Sequence, residues 1–161
     1  HVVLQERTYE PLTNTPGFHE FAGRFASTAL GAGAKPVIFE AWAHRDHSDA
    51  MYQSPWSGGS PDAMQQLLLA QVRSVATETH SVIALPGEAF RQSRLIHPEI
   101  ELYAPDGNHP SPAGTYLAAC VLVQTLTGAP PATAATTPLA LPPDITSALR
   151  RAAERATEQQ N

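Results

Sequence analysis

Short apolar runs alternate along the chain with longer stretches in which apolar residues recur every three or four positions. The apolar runs lie at 2–4, 37–41 and 81–85. Short apolar runs of this kind are typical of strands that are buried on both faces in a parallel sheet. The periodic stretches predict helices over 16–30, 61–80 and 112–127, and a further short helix is expected over 88–95. Strand and helix in alternation predict an α/β fold, with three layers in the order helix, parallel sheet, helix.

Three of these helices begin with a hydroxyl residue followed by proline. Thr15, Ser60 and Ser111 occupy the predicted N-cap positions, each before a Pro at the first helical position. Ser60 follows two glycines, but its capping position argues against a role as a nucleophile. No Gly-x-Ser-x-Gly elbow occurs in the chain.

The first helix carries aromatic residues on one face. Phe18, Phe21 and Phe25 recur at helical spacing together with Ala22 and Ala29. A stripe of this kind predicts a face that is buried in the core.

Towards the C-terminus the composition changes. Residues 129–143 are rich in Ala, Pro and Thr, which is typical of a linker. Residues 144–161 predict a last helix that begins at Asp144 and carries a thin apolar stripe, and it either docks on the domain or frays. The predicted organisation is therefore a domain at 1–128, a linker at 129–143 and a C-terminal helix at 144–161.

Length, composition and charge limit the class of protein. The chain has 161 residues, 42% hydrophobic and 16% charged, as expected for one globular domain. The net charge of −5 argues against a nucleic-acid partner, and one cysteine excludes an internal disulfide. No apolar run is long enough to span a membrane, and no signal peptide is present. A start at His1, directly before a strand, suggests that further residues precede it, so the sequence assigns no compartment; a secreted or periplasmic location is compatible with it.

A loop rich in Pro, Gly and Asn precedes the helix at 112–127 and contains Asp106 and His109. A carboxylate can hold one imidazole nitrogen and fix the tautomer, and the other nitrogen can then accept a proton from a nucleophile. The alternative is that Asp106 and Gly107 form an ordinary turn and that His109 is a solvated loop residue.

Asp106-x-x-His109 resembles the last conserved block of the SGNH (GDSL-like) hydrolases. The surrounding sequence is similar to one bacterial branch of that superfamily at Leu102-Tyr103, Asp106-Gly107, His109-Pro110-Ser111, Gly114 and Tyr116-Leu117-Ala118-Ala119-Cys120. Val2-Val3-Leu4-Gln5-Glu6 resembles the third block of that branch. The Gly-Asp-Ser block with the nucleophile and the second block with an oxyanion glycine come earlier in the family, and neither occurs here.

The resemblance implies a flavodoxin-like sheet in the order 2-1-3-4-5, of which this chain supplies strands 3–5. It implies that this is a fragment, the C-terminal part of a serine esterase acting on small acyl esters, such as the acetyl esters of carbohydrates. His109 is then the base, Asp106 orients it, and Gln5 donates to the oxyanion. Whether the chain is active as an enzyme depends on a serine from outside it. No cofactor is implied.

The loop after the second strand is expected to form one wall of the substrate cleft. Trp42, Tyr52 and Trp56 are the predicted substrate-binding residues in this part of the chain. His44, Asp46, His47 and Asp49 raise the alternative of a metal-dependent hydrolase. Their spacing matches no zinc signature, so the sequence predicts no metal site.

Two further expectations follow. The alternative function is a catalytically inactive α/β module that binds a glycan or a protein partner, because no nucleophile is recognisable in these residues. In addition, the strand Val2–Leu4 is apolar on both faces and loses its neighbour in the implied sheet order. Such an edge strand is expected to mediate self-association.

Overall fold

The computed structural model describes residues 1–45, 50–131 and 141–158, which form two compact units. The first unit is His1–Ala84 and the second is Leu85–Asn161. Most of the predicted linker, residues 132–140, lies outside the described residues. In the described parts of the chain, no helix is both long and apolar enough to cross a membrane.

The first unit contains a parallel sheet of three strands. Strands β1 (Val2–Gln5), β2 (Pro36–Phe39) and β3 (Val82–Ala84) lie side by side in sequence order. Gln5 is level with Phe39 in the register, so β1 and β2 end together. The predicted α/β class with a parallel sheet is confirmed.

Three helices accompany this sheet: α1 (Glu10–Thr13), α2 (Thr15–Gly31) and α3 (Pro61–Thr79). Helices α2 and α3 pack on each other and on the strands. Their shared core consists of Phe18, Ala22, Ile38, Val72, Val75 and Ala76. Two single 3-10 turns, Ala50–Gln53 and Pro55–Ser57, precede α3.

Two of the three predicted helix caps are present. The Ser60 hydroxyl accepts from the Ala63 N–H at 3.2 Å, and Ser111 caps its helix in the same way. The prediction for α2 was wrong by one residue, because Asn14 is the N-cap and accepts from Gly17 N–H at 3.3 Å. The Thr15 hydroxyl instead donates to a carbonyl oxygen of the preceding turn.

The aromatic face of α2 is only partly buried, which corrects the prediction that the whole stripe is core. Phe18 is buried, but the side chains of Phe21 and Phe25 are 49% and 60% exposed. Both residues line a groove beside β1, the first strand of the sheet. The apolar stripe of α2 is therefore wider than the core that it contacts.

The described residues of the second unit form three helices: α4 (Pro86–Ile96), α5 (Pro112–Thr127) and α6 (Pro143–Glu158). Each of them packs on the other two. Helix α6 buries Leu149 among alanines, at 148, 152, 153 and 156. Small side chains let the helix approach its neighbours closely, so its thin apolar stripe is sufficient for docking.

Candidate active site

The loop that contains Asp106 and His109 is closed by backbone contacts between its two ends. Tyr103 and Pro110 form an isolated antiparallel bridge. Inside that bridge, the Ala104 N–H donates to the His109 carbonyl oxygen at 2.8 Å. The two residues of the candidate pair therefore lie on a small hairpin-like loop with a defined backbone.

A tight turn at the tip of the loop brings the Asp106 carboxylate over the following residues. Gly107 has φ +70° and its N–H donates to the Ala104 carbonyl oxygen at 2.9 Å. This left-handed conformation favours glycine. Asp106 Oδ1 accepts from the backbone N–H groups of Asn108 at 3.0 Å and His109 at 2.9 Å. These two bonds hold the carboxylate in place without any contribution from the imidazole ring.

The second carboxylate oxygen binds the imidazole. His109 Nδ1 lies 2.6 Å from Asp106 Oδ2. An ionised carboxylate only accepts hydrogen bonds, so Nδ1 carries the proton and donates it. In the neutral ring Nε2 is then the acceptor. The side chain of His109 is 73% exposed, so this nitrogen belongs to an accessible ring.

The Asp106 carboxyl has a low pKa, of about 2. The largest cause is the hydrogen bond from the His109 side chain, followed by the two backbone N–H donors. Donors of this kind stabilise the charged form. Asp106 is therefore a carboxylate at neutral pH, as an orienting group must be.

The base of the loop is joined to the first turn of α5. The Ser111 N–H donates to the Leu102 carbonyl oxygen at 2.9 Å. The Ser111 hydroxyl accepts from the Gly114 N–H at 3.2 Å and donates to the Glu101 carbonyl oxygen at 2.7 Å. Glu101 Oε1 also accepts from the Tyr103 N–H at 2.8 Å. As predicted, the pair lies directly before a capped helix.

The other residues predicted for the site belong to the first unit. Gln5 is the exposed last residue of β1, and the half-buried Trp42 follows β2 by three positions. Its indole contacts the Phe39 ring edge-on, with the ring centres 6.2 Å apart. The carboxyl ends of parallel strands are where ligands bind in open α/β sheets. The roles of Gln5 and Trp42 stay predictions.

Tyr52 and Trp56 are held in a small apolar cluster of the first unit. Tyr52 is buried, and its hydroxyl donates to the His44 carbonyl oxygen at 2.7 Å. Trp56 is half-buried and packs against Tyr9, with the ring centres 6.1 Å apart. These contacts give both residues a structural role, and the predicted contact with substrate stays a prediction.

Sequence reasoning missed a buried polar contact that holds the segment after β2. Glu40 is fully buried and accepts from Gln65 Nε2 at 2.8 Å. The same amide group donates to the Ala41 carbonyl oxygen at 3.1 Å and accepts from the Ala43 N–H at 2.7 Å. The available signal was the single glutamate within the apolar run 37–41. These contacts fix the backbone on both sides of Trp42.

No protein-family model matches the chain, and no curated protein matches it either. Among solved structures, a candidate SGNH hydrolase from Slackia heliotrinireducens is 33% identical, with a TM-score of 0.67 over 78% of this chain. The chain has an SGNH-like hydrolase fold.

A second solved structure supports that fold over nearly the whole length. A DUF4886 family protein from Bacteroides uniformis superposes on 97% of this chain with a TM-score of 0.81, at 17% identity. A third, the acetylxylan esterase Axe2 from Geobacillus stearothermophilus, has a TM-score of 0.49, which is too low to support an argument. The chain spans 64% of the length of the Slackia protein and 61% of that of the Bacteroides protein.

The metal alternative rests on four residues, of which one lies in the described part of the chain. Asp46, His47 and Asp49 lie outside the described residues, whereas His44 lies within them. Across residues 1–45, 50–131 and 141–158, no group of three or more side chains is placed to hold a metal ion.

Proposed function

We propose that this chain provides the acid–base pair and an oxyanion donor of a serine esterase, and that the serine comes from residues outside these 161. The observation that carries the proposal is the 2.6 Å contact between His109 Nδ1 and Asp106 Oδ2. That contact fixes the tautomer in which Nε2 accepts a proton. The likeness to a candidate SGNH hydrolase at 33% identity supports the same assignment.

In the proposed reaction, His109 Nε2 removes the proton of the serine hydroxyl as its oxygen attacks the acyl carbonyl carbon. Asp106 stabilises the imidazolium that forms. The side-chain amide of Gln5 donates to the oxyanion, and a donor of this kind contributes about 3 kcal/mol to lowering the barrier. The imidazolium then protonates the leaving alcohol, and water attacks the acyl-enzyme with His109 as base again.

The proposed substrates are small acyl esters, including the acetyl esters of carbohydrates. Trp42 would provide an apolar surface for the alcohol part, because aromatic rings pack well against the faces of sugar rings. Activity should fall in acid, since a protonated His109 cannot accept the serine proton.

The test compares ester hydrolysis by the intact protein and by a variant that lacks the His109 imidazole. We expect His109→Ala to remove turnover of a chromogenic acetate ester and of acetylated oligosaccharide. The matched control is His97→Ala, which removes a histidine whose Nδ1 contacts Glu99 Oε1 at 3.2 Å and which lies outside the proposed site. Full activity in His109→Ala would refute the proposal.

A second candidate function is a catalytically inactive module that binds a glycan or a protein. It is favoured by one observation: the hydroxyls of Ser60 and Ser111 both act as helix caps. Calorimetric binding of acetylated oligosaccharide by the intact protein without any release of acetate would support this alternative. Turnover that His109→Ala removes would exclude it.

A further inference from the structure

The first turn of α5 lies unusually close to the segment that enters the candidate loop. Gly114, the third residue of α5, lies against the Leu102 carbonyl group, and a Cβ atom at position 114 would collide with that carbonyl oxygen. It would also lie 2.8 Å from Cζ of Phe90. Phe90 and Leu102 are both 1% exposed, so neither can move aside into solvent. Only glycine fits at this position.

The carbonyl group that Gly114 approaches also closes the loop. The Leu102 oxygen accepts the Ser111 N–H at 2.9 Å, at the base of the loop. The Gly114 N–H donates to the Ser111 hydroxyl at 3.2 Å. Gly114 is therefore in contact with both ends of the loop that carries His109.

Helix propensity offers no reason for glycine here. Glycine inside a helix is less favourable than alanine, because it loses more backbone entropy on folding. The tight approach to Leu102 accounts for the residue, and the sequence pattern alone cannot show that approach.

We propose that Gly114 is a positioning residue for the Asp106–His109 pair, acting through the Leu102 carbonyl group. This inference rests on the proposed function and adds a residue to it. A side chain at 114 must push residue 102 away from α5, which lengthens the contact from Ser111 to Leu102. The strand-like bridge at Tyr103 then shifts against its partner, and the backbone of His109 moves with it.

The test compares Gly114→Ala with Gly23→Ala in the intact protein. Gly23 lies within α2, and a Cβ there meets nothing within 4 Å. We expect Gly114→Ala to lower kcat about a hundredfold with little change in KM, because small misplacements of reacting groups have effects of that size. We also expect the carboxyl of Asp106, followed by carbon-13 NMR, to titrate closer to its ordinary pKa of 3.8. Gly23→Ala should leave both measurements unchanged.

A purely structural role for Gly114 makes a different prediction. Gly114→Ala would then melt at a lower temperature, while the folded molecules kept the wild-type kcat and the wild-type titration of Asp106. That result overturns the inference. If Gly114→Ala does not fold, Ser111→Ala tests the same coupling, because it removes the hydroxyl that links Gly114 to the base of the loop. A wild-type Asp106 titration and kcat in Ser111→Ala would overturn the inference equally.

These experiments distinguish failure of the positioning role of Gly114 from failure of the proposed esterase function. If the wild-type protein hydrolyses no ester, the proposed function fails, yet the titration of Asp106 in Gly114→Ala still decides whether Gly114 positions the pair. If His109→Ala removes turnover and Gly114→Ala does not alter it, the function stands and the positioning role is refuted.

Discussion

The carboxylate of Asp106 accepts hydrogen bonds from several N–H groups of the candidate site. Three N–H groups donate to its two oxygens: the imidazole of His109, the backbone of His109 and the backbone of Asn108. Two of these donors belong to the residue that the carboxylate orients. Orientation of the ring and of the backbone at position 109 is therefore provided by one side chain, three residues earlier in the chain.

The titration of Asp106 provides a direct check of this arrangement. Its folded pKa of about 2 lies below the ordinary 3.8, so its hydrogen bonds favour the folded state fully above pH 3.8. That contribution is lost as the pH falls through about 2. We expect the Asp106 carboxyl signal in carbon-13 NMR to titrate near pH 2.

The cause of the shift can be tested separately. Because the His109 side chain is its largest cause, His109→Ala should move the midpoint of the Asp106 titration up towards 3.8. His97→Ala should leave it in place. A wild-type midpoint near 3.8, or one that His109→Ala does not move, would contradict the geometry of the pair.

At the scale of elements, the sequence predicted those features whose cause lies within a few neighbouring residues. The starts of α3 and α5 follow from Ser60 and Ser111, since a cap acts on a backbone N–H three residues later. The pairing of Asp106 with His109 is also local, because the two residues are three apart across a turn. That spacing alone left a solvated loop histidine as the alternative, and the family resemblance favoured the pair. At α2 two capping residue types are adjacent, and Asn14 is the one whose side chain reaches the Gly17 N–H.

Contacts between distant parts of the chain could not be predicted in this way. Glu40 and Gln65 are 25 positions apart, and no periodic pattern links a residue after a strand to one on a helix. Gly114 in the sequence resembles an ordinary helix glycine, and its role depends on the position of Leu102. Periodicity identified the aromatic face of α2 but not how much of that face would be covered.

The buried amide of Gln65 permits a test of how the segment after β2 is held. Gln65→Leu keeps a side chain of similar size, but it removes the oxygen that accepts from the Ala43 N–H and the amide that donates to Glu40. Loss of partners for buried polar groups destabilises a protein by about 2 kcal/mol. We expect that decrease in the free energy of unfolding by urea.

Its matched control lies one residue along the same helix. Gln66 is exposed, and the change Gln66→Leu should alter the free energy of unfolding by less than about 0.5 kcal/mol. Equal effects of the two substitutions would show that the buried contact does not stabilise the segment around Trp42.

At the scale of the whole molecule, the strand β1 leaves apolar surface of the first unit exposed. Val2 and Val3 are 39% and 40% exposed. Successive side chains of a strand point to opposite faces of the sheet, so β1 exposes apolar surface on both faces. Beside it, Phe21 and Phe25 line a groove of about 220 Å³ together with β1. In the described residues, β1 pairs with β2 alone.

We propose that the 161-residue chain self-associates through β1. An edge strand presents unpaired N–H and C=O groups that can pair with another chain, and a charged side chain on such a strand prevents that pairing. Val3→Lys should therefore shift the sedimentation velocity distribution towards the monomer across a wide range of protein concentration. Val123→Lys, at an exposed valine on α5, is the control and should not. A wild-type chain that sediments as a monomer and melts cooperatively at all concentrations would contradict the proposal. Equal effects of the two lysines would contradict it as well, because the association would then depend on net charge and not on the edge of the sheet.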